Sequence, residues 1–127
     1  MDIKTTVTKM FLQLDEEKRE RVLGAAINEF ADKNYNNASM NVVVKAAGIS
    51  KGALFKYFKS KASLFAFVYR MALGRVKDYL RQVRDESAEE DFFARLEKVM
   101  LAGLDFIHNH PGLAAIYYRI VFTGDSP

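Results

Sequence analysis

Residues 39–61 read SMNVVVKAAGISKGALFKYFKSK. Two short helical patterns meet here at a tight turn. Ser39 is a good N-cap for a first helix over about residues 40–47, whose apolar side is Val43, Val44 and Ala47. Gly48 supplies the positive φ of a sharp turn, and Ile49 plugs the corner. Ser50 caps a second helix over about residues 51–58, held down by Leu54 and Phe58 at i and i+4. The run Val42-Val43-Val44 is too short to read as a strand against these surroundings. Two short helices pinned around a glycine turn have the shape that places a helix in a DNA groove.

The flanking sequence is also helical. Asp15 caps a helix with Glu16 and Glu17 in its first turn and one apolar stripe of Val22, Leu23, Ala26, Ile27 and Phe30. Asn34, which tolerates the left-handed conformation, is the expected stop. Before it, Ile3, Val7, Met10, Phe11 and Leu14 have helical spacing, but Thr5, Thr6 and Thr8 weaken the propensity. Residues 1–14 therefore read as a mobile arm with a nascent helix. Downstream, Ser60 caps a long helix over about 61–84 with Leu64, Val68, Met71, Ala72 and Val76 inward. Asp85-Glu86-Ser87-Ala88 reads as a hinge. A further helix over about 89–109 is expected to bury Phe92, Leu96, Val99, Met100, Gly103 and Ile107, with Glu89, Glu90 and Asp91 in its first turn. Asn109-His110-Pro111-Gly112 breaks it, and an apolar, aromatic helix runs from about Leu113 to Phe122. The chain is expected to be all-α.

Charge is distributed unevenly. Between Lys33 and Lys77 lie nine basic residues and no acidic one; elsewhere ten basic face sixteen acidic residues, so the net +3 is +9 in one block and −6 outside it. A one-signed field on a folded domain attracts polyanions. On the helix after Ser50, Lys51, Gly52, Phe55, Lys56 and Lys59 fall near the side opposite Leu54 and Phe58. Lys51 is placed to reach guanine edges, Gly52 lets backbone approach the duplex, and Lys59 and Lys61 sit where a flanking phosphate would lie. Capped helix starts at Ser39 and Ser60 offer free N–H groups to phosphate oxygens.

Other classes find little support. The chain has no cysteine, which excludes disulfides and thiolate metal sites. His108 and His110, two apart on a helix, point to different sides with no third ligand at a fitting spacing, so no metal and no cofactor is expected. No nucleophile–base pair or phosphate-binding glycine loop can be placed, so an enzyme is not expected. The start has no long apolar run, and Arg70, Arg75 and Lys77 interrupt the most apolar stretch, Leu64 to Leu80. A soluble intracellular protein without a membrane partner is the reading.

The run from Ala47 through Gly48-Ile49-Ser50-Lys51-Gly52-Ala53-Leu54-Phe55-Lys56-Tyr57-Phe58-Lys59-Ser60 to Lys61 resembles the signature of the tetracycline-repressor (TetR) family of bacterial transcription regulators. Arg21-Val22-Leu23-Gly24-Ala25-Ala26-Ile27-Asn28-Glu29-Phe30-Ala31 is similar to that family's opening helix, and the resemblance spans residues 16 to about 69. It implies a three-helix DNA-binding domain over 16–76, with its helix-turn-helix at 39–58. An arm at 1–15 precedes it, and the beginning of a helical effector-binding and dimerisation domain follows at 77–127. It places Ser39, Lys51, Gly52, Ala53, Phe55, Tyr57 and Lys61 on DNA-contact positions, Tyr57 donating to a phosphate and Lys61 pairing with one. Asn41, Ser50, Lys56 and Lys59 complete the candidate DNA-contact set. The sequence departs from the family at Phe55, where tyrosine is usual, at Asn34, where glycine is usual, and at Val42, a site often polar or charged.

The function the resemblance implies is a cytoplasmic bacterial regulator that binds a palindromic operator in double-stranded DNA as a homodimer. It would be a repressor released by a small-molecule effector. Phe106, His110, Tyr117 and Tyr118 are the candidate effector contacts, and Arg119 is a candidate partner for an acidic effector. Family members approach two hundred residues, so the helices that dimerise are expected to be missing from this chain. The alternative is an architectural or scaffolding helical protein whose basic face binds nucleic acid without reading sequence.

Overall fold

The computed structural model describes residues 7–125 and 127. Among these are seven α-helices and no strand: α1 (Lys9–Leu12), α2 (Glu16–Asp32), α3 (Met40–Ala47), α4 (Lys51–Tyr57), α5 (Lys61–Glu86), α6 (Phe92–Asn109) and α7 (Pro111–Thr123). The all-α expectation holds.

Local chemistry fixes most helix starts. The Asp15 carboxylate accepts from Lys18 N–H at 2.8 Å. Ser39 Oγ accepts from Val42 N–H, Ser50 Oγ from Ala53 N–H, and Ser60 Oγ from Ser63 N–H. α6 begins later than the charge pattern suggests. Asp91 accepts from Ala94 N–H at 2.9 Å and is its N-cap, so Glu89 and Glu90 lie before the helix rather than in its first turn. The expected hinge is shorter as well: α5 runs on through Asp85 and Glu86, with Gln82 Nε2 donating to Glu86 Oε1 at 3.0 Å. The buried Ser87 hydroxyl then donates back to the Val83 carbonyl.

Asn34 does not take the left-handed conformation; no non-glycine residue described does. α2 closes on an extended Lys33, and Asn34 makes the turn with both its side chain, which accepts from Asn37 N–H at 2.9 Å, and its backbone carbonyl, which accepts from Ala38 N–H at 3.0 Å.

The core joins α2, α3, α4, α5 and α7. Val22, Ala26, Phe30, Val43, Ala47, Leu54, Phe58, Leu64, Val68, Ala72 and Ile116 are all sealed from solvent. Phe65 stands edge-on to both Phe30 and Tyr35, with ring centres 5.1 Å apart in each pair.

Two further expectations are corrected. Residues 7–14 are not a free arm: α1 packs against α4, and Phe11 is wholly buried. Ile3 and the rest of residues 1–6 lie outside the described residues. The face of α6 expected to be inward is instead open: Phe92, Leu96, Val99, Met100, Gly103 and Ile107 are exposed, Phe92 at 69%, and Phe106 is the buried residue of this helix. α6 packs mainly on α5 and α7, and it is apolar around more of its circumference than two neighbours can cover.

Candidate nucleic-acid interface

The turn between α3 and α4 has the conformation its sequence requires. Gly48 is left-handed, at φ 69° and ψ 33°, and Ile49 N–H reaches back to the Val44 carbonyl at 3.1 Å. Leu54 and Phe58 anchor α4 from behind with no exposure. The opposite side is open: Lys51, Gly52, Lys56 and Lys59 are exposed, and Phe55 is 38% exposed. The ion pairs among the described residues are Lys33–Glu29, Arg84–Asp85 and Lys98–Glu90. No carboxylate therefore covers the lysines of α4 within this set.

The remaining candidate DNA contacts divide by position. Asn41 and Ser50 are exposed, while Ser39 and Ala53 are half-buried. Lys61, at the start of α5, donates to the Asn36 carbonyl at 3.3 Å and lies 4.8 Å from the centre of the Tyr35 ring. Its ammonium is thus held at the edge of the basic face by an aromatic surface. Tyr57 is buried, its ring 5.8 Å from that of Phe11, so most of this side chain belongs to the core.

Several residues that shape the interface have no local sequence signal. Glu29 is buried; its carboxylate accepts from Lys33 Nζ at 3.0 Å and from Ser39 N–H at 2.7 Å. It thereby ties the end of α2 to the cap of α3. Arg119 is committed to protein rather than to an acidic ligand: its guanidinium donates to the carbonyls of Phe30 at 2.7 Å, Ala31 at 2.8 Å and Lys33. These carbonyls end α2 and have no partner within the helix. Asp125 adds a second tie, accepting from Tyr35 N–H at 3.0 Å. At the other end of α7, a Cβ added to Gly112 would stand 2.7 Å from Ile27 Cγ2, so glycine permits the close approach of α7 to α2.

A second feature lies between α5, α6 and α7: a cavity of about 270 Å³ whose walls include Val76, Tyr79, Phe106, Tyr117, Tyr118 and Phe122. Three of the four candidate effector contacts, Phe106, Tyr117 and Tyr118, meet there. His110 stands behind the wall, its ring 5.3 Å from that of Phe106 and 6.2 Å from that of Tyr79. No described helix is long and apolar enough to cross a membrane.

A glycine-turn helix pair with its second helix exposed, basic and anchored from behind defines the class of helix-turn-helix proteins. Residues 22–68 match the model of the bacterial regulatory proteins of the tetR family, so the helix-turn-helix segment is similar to that family's. The chain is 31% identical over 111 residues to the HTH-type transcriptional activator FasR of Mycolicibacterium smegmatis, covering 87% of this chain and 48% of that one. To the probable acrEF/envCD operon repressor of Escherichia coli it is 22% identical over 111 residues, covering 84% and 50%. A crystal structure of a TetR family transcriptional regulator from Chloroflexus aurantiacus superposes with a TM-score of 0.84 at 30% identity, over 96% of this chain and 55% of that one. The chain spans about half the length of the relatives it matches.

Proposed function

We propose that this chain is the DNA-reading unit and the first part of the sensing unit of a bacterial, cytoplasmic transcription regulator. It would repress by occupying a palindromic operator and leave when a small molecule binds. The observation that carries the reading is α4: Leu54 and Phe58 are fully buried, while Lys51, Gly52, Lys56 and Lys59 face outward without a carboxylate partner among the described residues. In this reading α4 enters the major groove and Lys51 reaches base edges. Asn41, Ser50, Lys56, Lys59 and Lys61 hold the phosphates, as do the capped starts of α3 and α5 at Ser39 and Ser60. In the same reading the hydroxyl of Tyr57 serves that backbone as well. Two copies read two half-sites.

The DNA-reading unit corresponds to residues 16–76 and the sensing unit begins at 77. The cavity walls are apolar and aromatic, which suits a small apolar or aromatic effector. α7 supplies Tyr117, Tyr118 and Phe122 to that wall and, through Arg119, holds the end of α2. α5 runs from the basic face at Lys61 to the cavity at Val76 and Tyr79. Displacement of either helix by a ligand would move the DNA-reading unit, with a coupling of about 1–3 kcal/mol. The exposed apolar faces of α6 and α7 are where dimerising helices would pack. Repression needs nothing beyond occupancy of the site. Among the relatives, FasR is named an activator and the acrEF/envCD regulator a repressor.

The test is selection of bound duplexes from a randomised pool, followed by titration of a selected and an unselected duplex at several salt concentrations. A preference that survives at high salt, lowered by about 1–3 kcal/mol in Lys51→Ala, supports groove reading. Equal affinity for both duplexes at every salt concentration would leave the architectural reading in its place.

A further inference from the structure

The helix that carries the lysines is only seven residues long, too short to hold its own shape in water. It is about 10 Å from end to end, so a tilt of about 10° at one end shifts the other by roughly 2 Å. That exceeds the tolerance of a hydrogen bond to a base edge. Its placement must therefore be enforced at both ends. At the start, the Gly48 turn and α3 do this. At the far end the support comes from a part of the chain that carries no DNA-contact candidate.

Thr8 donates twice to the end of α4: its backbone N–H to the Tyr57 carbonyl at 3.0 Å, and its hydroxyl to the Lys56 carbonyl at 2.9 Å. These are the last carbonyls of the helix, which no helical N–H can reach. Thr8 stands at the N-cap position of α1, yet its side chain makes no bond to its own helix. One turn later Phe11 enters the gap between α4 and α5, its ring centre 5.8 Å from that of Tyr57, 4.8 Å from Phe58 and 5.9 Å from Phe67. Arg19 fastens α1 in turn, donating to the carbonyls of Leu12 at 3.4 Å and Leu14 at 3.2 Å from the first part of α2. The main helix neighbours of α4 are α3 and α1. All these contacts fall on the end and back of α4 and leave its lysines open.

We propose that residues 7–14 form a clip belonging to the DNA-reading unit, in which Thr8 and Phe11 are positioning residues that set the axial placement and roll of α4 and so its ability to discriminate between base sequences. This rests on α4 being the groove-reading helix. Thr8 acts through the end of the helix and Phe11 through Tyr57 and Phe58; neither touches DNA.

The test uses the full chain, one duplex selected by the wild type from a randomised pool, and one unselected duplex. In Thr8→Val the ratio of the two affinities is expected to fall about five-fold, the effect of one lost hydrogen bond, and in Phe11→Ala ten-fold or more. Affinity for the unselected duplex at low salt should stay within about two-fold, because every phosphate-facing lysine remains. Thr8→Ser, which keeps the hydroxyl, should restore the ratio. Amide exchange should quicken at Leu54 and Phe58 in Thr8→Val and stay unchanged in the middle of α2. A Thr8→Val chain that keeps the wild-type ratio while Lys51→Ala loses it would overturn the clip and leave the role of α4 intact. Equal losses on both duplexes would overturn it too, by showing a general folding defect. If the wild type itself selects no sequence, and Lys51→Ala changes nothing, groove reading fails and the clip fails with it.

Discussion

Gly52 sits in the first turn of α4 with open space around it: an added Cβ would meet only Ser50 Oγ, at 4.0 Å. Nothing inside the protein demands glycine there, and glycine in a helix costs up to about 1 kcal/mol relative to alanine. Gly52→Ala should therefore hold or raise the melting temperature while weakening binding to a selected duplex; unchanged DNA binding in a titration would mean that no backbone approaches at this point. Gly48 is the reverse case. Space around it is also open, but its φ of 69° is hostile to a β-branched residue. Gly48→Val should lower stability by about 1–3 kcal/mol through backbone strain alone. Gly48→Asn should lose clearly less, and denaturant unfolding of the pair separates strain from lost packing. The roles of Gly48 and of the caps Ser39, Ser50 and Ser60 were legible because each acts on a neighbour two to four positions away. Glu29 and Arg119 were not, because their backbone partners lie 10 and up to 89 residues off in sequence and no spacing rule reaches that far.

At the level of elements, helical periodicity shows which residues share a face, but not whether anything covers that face. The stripes of α2, α3 and α5 were read inward and are inward at Val22, Ala26, Phe30, Val43, Leu64, Val68 and Ala72. The same reasoning fails on α6, where apolar residues nearly surround the helix and only the contacts with α5 and α7 select Phe106 for burial. Phe106→Ala should cost this chain about 3–5 kcal/mol, while Leu104→Ala, exposed at 63%, should stay within about 0.5 kcal/mol. Equal losses in thermal or denaturant unfolding would mean that the outer face of α6 is already buried in solution, by a second copy of the chain, which sedimentation would then reveal. α1 failed for a different reason. Its three-threonine lead argued against helix, and tertiary contacts with Tyr57, Phe58 and Phe67 outweighed that propensity.

On the scale of the whole molecule, α7, beside α5, joins the cavity to the helix-turn-helix end of the chain. Gly112 lets it lie close to Ile27, Arg119 closes the end of α2, and Asp125 holds the Tyr35 amide. The last two ties end in residues 30–35; Glu29, next to them and bound to Lys33, reaches on to the cap of α3 at Ser39. A change at the cavity wall therefore has a short covalent and hydrogen-bonded path to the helix pair. Arg119→Ala removes the donor for three helix-end carbonyls that water can only partly replace, since the side chain is half-buried. The expected loss is about 1–3 kcal/mol of stability, with faster amide exchange at residues 33–39 and little change at α6. Arg119→Lys should recover only part of it, because an ammonium cannot span carbonyls on separate residues as the planar guanidinium does. If the two halves of the chain are coupled mainly through this contact, unfolding of Arg119→Ala should broaden or split, with residues 16–76 and the cavity helices losing structure at different denaturant concentrations. A single sharp transition at the same slope would place the coupling in α5 instead, whose 26 residues run unbroken from Lys61 to Glu86.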